Sequence, residues 1–83
     1  MTVTNDKLEE LFKSIDDVQH VSVEGDGYHY ILVVVSDVFI GKAKIARQRW
    51  VYNVLNKYIV SGELHAIQMK TFTQVEWKEQ QHG

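Results

Sequence analysis

Eighty-three residues are enough for one domain and one modest core. A chain of this length buries about 60–65% of its unfolded surface, which leaves no room for a second domain or a deep internal active site. Cysteine is absent, so disulfides, a cysteine nucleophile and an all-thiolate metal site are excluded, and nine Lys/Arg against eleven Asp/Glu give a net charge of −2, too mild for disorder or for a protein that coats nucleic acid.

The segment Met1 to Ile15 is polar and amphipathic, without the apolar stretch of a secretory signal. The longest aliphatic run, Ile31 to Val35, is far short of the ~20 residues that span a bilayer. The expected address is a reducing cytoplasm, with no membrane contact. Asp6-Lys7-Leu8-Glu9 reads as a capping box, and Leu8, Leu11, Phe12 and Ile15 then recur with the period of an amphipathic helix.

Val18 to Glu24 alternates, with Val21 and Val23 facing one way and His20, Ser22 and Glu24 the other, as in a half-buried strand. Gly25-Asp26-Gly27 is a turn signal. Tyr28 to Val35 is apolar on both faces and reads as the central strand of a sheet, paired in a hairpin with the first. Ser36 to Lys42 is a transition with Phe39 and Ile40 as apolar anchors. From Lys44 to about Ile59 the period is helical, and Val51, Val54, Leu55 and Tyr58 form the buried stripe. Ser61-Gly62 stops that helix.

Leu64 to Phe72 reads as a third strand, with His65, Ile67 and Met69 on one face. Thr73-x-x-Glu76 is a capping box for a last helix carrying Val75 and Trp77. The order α-β-β-α-β-α gives an antiparallel hairpin followed by a parallel, right-handed crossover. The fold class is therefore α+β, a three-stranded mixed sheet packed with helices in a single domain over residues 1–83, with a core from about 7 to 77.

Charge is uneven. Val38 to Gly62 holds five cations, Lys42, Lys44, Arg47, Arg49 and Lys57, and no acid, while the remaining residues carry four cations and eleven acids. This patch is either a solvated helix face or a contact for phosphate, nucleic acid or an acidic partner. Arg49 lies opposite the apolar stripe and is expected to be exposed. Arg47 lies beside the stripe, one turn before Val51, and calls for an acidic or backbone partner.

Of four histidines, His82 is near the chain end and His20 reads as a solvated residue on the polar face of the first strand. His29 and His65 each open a strand and are either packing residues or ligands. Together they make half a metal site, because structural zinc takes four protein ligands and catalytic zinc three. Two-histidine ligation does occur on one iron of a [2Fe–2S] centre, and a cysteine-free chain can take part only where another molecule supplies the thiolates. No nucleophile elbow, phosphate loop or His-Glu-x-x-His is present, so a dedicated enzyme is not expected.

Several segments, in order, resemble the BolA family. Phe39-x-Gly41-Lys42 leads into Arg47-Gln48-Arg49-Trp50-Val51-Tyr52-x-x-Leu55, and Leu64-His65-Ala66-Ile67-x-Met69-Lys70-x-Phe72-Thr73-x-x-Glu76-Trp77 resembles the family's closing segment. Val23-Glu24-Gly25-Asp26-Gly27-x-His29-Tyr30 is similar to the IbaG-type (YrbA-like) bacterial branch. Gln48 and Gln74 replace a histidine and a proline of the family pattern. The resemblance implies a class II KH-like α-β-β-α-α-β-α fold, with a short helical turn near Asp37 to Gly41. It also implies a non-enzymatic role with monothiol glutaredoxins in iron–sulfur trafficking and in iron and stress regulation. In that role a [2Fe–2S] cluster takes thiolates from the glutaredoxin and from glutathione, while His65 and a second ligand from the hairpin, His29, complete it. The free chain is then a monomer or weak homodimer. The alternative is a DNA-binding regulator using the basic helix 42–58 through Lys42, Lys44, Arg47 and Arg49. Against it, Gly41-Lys42-Ala43-Lys44 lacks the second glycine of a KH clamp.

Overall fold

A computed structural model describes residues 3–26, 28–64 and 66–82. Helix α1 (Asn5–Lys13) is followed by strands β1 (Val18–Gly25) and β2 (His29–Ser36) and a 3-10 turn at Asp37–Phe39. Helix α2 (Lys44–Val60), strand β3 (Ala66–Phe72) and helix α3 (Gln74–His82) complete the chain. The sheet order is β1-β2-β3, with β1 antiparallel and β3 parallel to β2, so the expected mixed sheet with a central β2 is found.

Alternation along the strands decides which residues meet the helices. Val21 and Val23 of β1 stand beside Val34 and Leu32 of β2 and turn to one face with Tyr30. Leu8 and Phe12 of α1, Val51 and Leu55 of α2, and Phe39 cover that face, and all five are fully buried. Burying each such side chain stabilises the fold by roughly 1.5–3 kcal/mol. The Tyr30 hydroxyl donates to the Val3 carbonyl and ties the segment before α1 to the core. The opposite face carries His29, Ile31 and Val33 of β2 beside Ala66, Gln68 and Lys70 of β3.

Four local expectations are corrected. The cap of α1 is Thr4, whose hydroxyl accepts from the Lys7 N–H at 3.2 Å, so Asp6 falls inside the first turn. Both residue types accept such a bond, and the helix begins at the earlier one. Ile40 is 66% exposed because the 3-10 turn buries Phe39 and half-buries Val38 while Ile40 follows it on the outside. β2 begins at His29, since Asp26 holds Tyr28 in the turn. β3 begins at Ala66; Leu64 precedes it and is buried, its N–H donating to the Tyr58 carbonyl at 3.1 Å. Gly62 ends α2 with φ 81°, the left-handed conformation that glycine adopts without a Cβ clash.

Candidate functional site

Two places hold the residues the sequence nominates. The first is the hairpin end of the sheet. Asp26 Oδ1 accepts from the N–H groups of Tyr28 and His29, each at 2.9 Å, and closes the turn from within. Those donors, His29 first and then Tyr28, hold the Asp26 carboxyl below its usual range. His29 is exposed at the start of β2 and stands opposite Ala66 in the parallel register. His65 lies outside the described residues, as does Gly27 of the turn. Among the described residues no group of three His, Cys, Asp or Glu is arranged to hold a metal ion. The two nominated imidazoles, with no thiol in the chain, are fewer donors than a resident zinc ion takes.

The second place is the start of α2, where the four nominated cations divide. Arg47 Nε donates to the Lys42 carbonyl at 2.8 Å. Its Nη1 and Nη2 donate to the two carboxylate oxygens of Glu76 at 2.7 and 3.3 Å, and its guanidinium lies 5.8 Å from the Phe39 ring centre. The expected partner for Arg47 is therefore the first turn of α3. Lys42 Nζ donates to the Val38 carbonyl at 2.7 Å. Lys44 and Arg49 are exposed. Glu76 also accepts from the Thr73 N–H at 2.8 Å, while Thr73 Oγ1 accepts from the Glu76 N–H at 3.2 Å, which is the capping box read from sequence. The Arg47 guanidinium, and after it the Thr73 N–H, hold the Glu76 carboxyl below its usual range.

Two arrangements were not read from the sequence. His20 is not simply solvated: its ring stacks on Trp77 with centres 5.2 Å apart and planes 23° apart. Gln74 donates its N–H and its side-chain amide to the Asp37 carboxylate at 3.1 and 2.8 Å. A proline at this position, as in the family pattern, has no N–H to give. The strand alternation placed His20 on the face away from the core; only the seating of α3 on that face brings Trp77 to it.

A family model described as BolA-like protein matches residues 5–76. The acid stress protein IbaG of Escherichia coli is 32% identical over 73 residues, covering 88% of this chain and 87% of that one. The structure of a bolA protein homologue from Coxiella burnetii is similar with a TM-score of 0.80 at 32% identity, over 93% and 99% of the two chains. The solution structure of yeast Fra2 gives 0.74 at 36% identity, over 95% and 88%. Sequence, three-stranded mixed sheet and helix order agree: the chain belongs to the BolA-like family, in the branch that includes IbaG.

Proposed function

We propose that this chain is a non-enzymatic partner of a monothiol glutaredoxin and shares a [2Fe–2S] cluster with it in iron–sulfur trafficking and stress regulation. The observation that carries the reading is the register at the hairpin end. His29 stands opposite Ala66, the residue that follows the nominated His65 in the sequence. His65 and His29 would hold one iron through neutral imidazole nitrogens. The glutaredoxin cysteine and glutathione would supply the thiolates this chain lacks. The cluster supplies iron and sulfide for transfer. The chain's own part is to present the two imidazoles; a protonated imidazole cannot ligate, so the shared site is expected to weaken toward acid pH. The name of the Escherichia coli relative, an acid stress protein, accords with a role under acid conditions.

The test is anaerobic reconstitution with a monothiol glutaredoxin, glutathione, iron and sulfide, read by visible absorption and circular dichroism on the size-fractionated heterodimer. The expected result is a spectrum distinct from the glutaredoxin homodimer, lost with His65→Ala and altered with His29→Ala. A heterodimer whose spectrum ignores both substitutions overturns the shared site.

A further inference from the structure

β3 is an edge strand, because the sheet ends with it. Every other residue of an edge strand turns its N–H and C=O away from the sheet. Among the described residues, one hydrogen bond reaches the main chain of Ala66–Phe72 from outside the sheet: Arg47 Nη1 to the Thr71 carbonyl, at 3.5 Å. The outward groups nearer Ala66 have no such partner among the described residues. A groove of about 580 Å³ lies against the far half of this strand, between the starts of α2 and α3. Met69, Lys70, Thr71 and Phe72 all line it in succession, residues from both faces of the strand, so the groove follows the edge itself and not one face.

The other edge differs. β1 carries an irregularity between Val18 and His20, and at its far end Asn5 Nδ2 donates to the Gly25 carbonyl at 3.5 Å. A bulge blunts a sheet edge, whereas among the described residues β3 runs in regular register, and Arg47 covers its main chain only at Thr71.

The groove's charge identifies the occupant. Lys42, Lys44 and Lys70 line it, and of its two acids Glu76 is neutralised by Arg47, which leaves Glu79. Pairing with a second copy of β3 would bring two such basic walls together.

We propose that the free edge of β3 binds an extended, acidic segment of a partner protein as an added strand, with main-chain hydrogen bonds along Ala66–Lys70, short of the Thr71 carbonyl that Arg47 holds, and carboxylates against Lys44 and Lys70. Strand addition takes its affinity from the main chain and its specificity from flanking side chains, which matches an open edge inside a basic groove. The proposal is independent of the cluster reading, since it uses neither His29 nor His65.

The probe is an acetylated, amidated ten-residue peptide of alternating valine and glutamate, titrated into the ¹⁵N-labelled full chain. Amide hydrogen exchange is then read residue by residue. The expected result is saturable binding that slows exchange of the outward amides of β3 by at least about tenfold, with Lys44→Glu and Lys70→Glu together weakening binding by about tenfold or more. Alternate N-methylation of the peptide abolishes it. No binding at about 1 mM peptide, binding that leaves the β3 amides unchanged, or a DNA duplex that protects the same amides better than the peptide each overturns the proposal. So does a concentration-dependent dimer whose interface is β3.

Discussion

Arg47 shows how one side chain can leave a binding patch and become part of the frame. Its guanidinium is 14% exposed and its partner Glu76 46% exposed, so the pair joins the start of α2 to the start of α3 at the surface. The depressed Glu76 pKa has a defined sign. The native state releases this proton more readily than the unfolded chain. Its contribution is therefore complete above the ordinary value of 4.5 and is lost as pH falls through the lower native value. Glu76→Gln is expected to lower stability near neutral pH, by about 1 kcal/mol or less given the exposure. Variant and parent should converge in acid, once pH has fallen through the lowered native value and the parent's carboxyl is protonated as well; denaturant unfolding at several pH values checks this. The need of Arg47 for a partner was legible at 100° per residue, because the position falls beside Val51. The stacking of His20 on Trp77 was not, because 57 positions separate them and only tertiary seating joins them.

At the scale of elements, caps and turns set the boundaries. Thr4→Ala is expected to cost about 1 kcal/mol and Asp6→Ala only a few tenths, which reverses the order that the Asp6-x-x-Glu9 pattern alone implies. Urea unfolding of the two variants separates them. Gly25 is constrained by its neighbour: a Cβ there would lie 2.5 Å from Tyr30 Cδ1 and 2.9 Å from the His29 carbonyl. Gly25→Ala is expected to cost roughly 1–3 kcal/mol and to disturb the hairpin beside His29, visible as shifted amide resonances of residues 28–30. Period and alternation made six elements legible, including the parallel crossover. The exposed Ile40 and the true start of β3 were hidden, since an apolar residue beside a turn gives no sign of the side it faces.

At the scale of the whole molecule, acids and cations are segregated. The charged residues of segment 38–62 are all basic, the rest carries all eleven acids, and β3 forms a regular edge of the sheet beside that basic segment. Association at the β3 groove is therefore expected to weaken as salt rises, whereas reconstitution at the hairpin end, governed by imidazole ligation, should follow pH more than ionic strength. Measuring both against sodium chloride distinguishes the two surfaces in one protein. The architecture was legible because hydrophobic pattern fixes layers. The pairing of His29 with Ala66 was not, because register between parallel strands is set by how the crossover helix packs, a long-range property absent from either strand's own residues.

The charge beside the β3 edge also limits how far any assembly can grow. A chain with two open edges can be stacked without end, each added strand exposing a fresh template, which is the route to fibres. Here a strand captured on β3 becomes the new edge, and an acidic segment presents its own carboxylates there in place of Lys44 and Lys70 of the groove. A second acidic segment meets like charge at that new edge, so the proposed capture is expected to stop at one segment per chain.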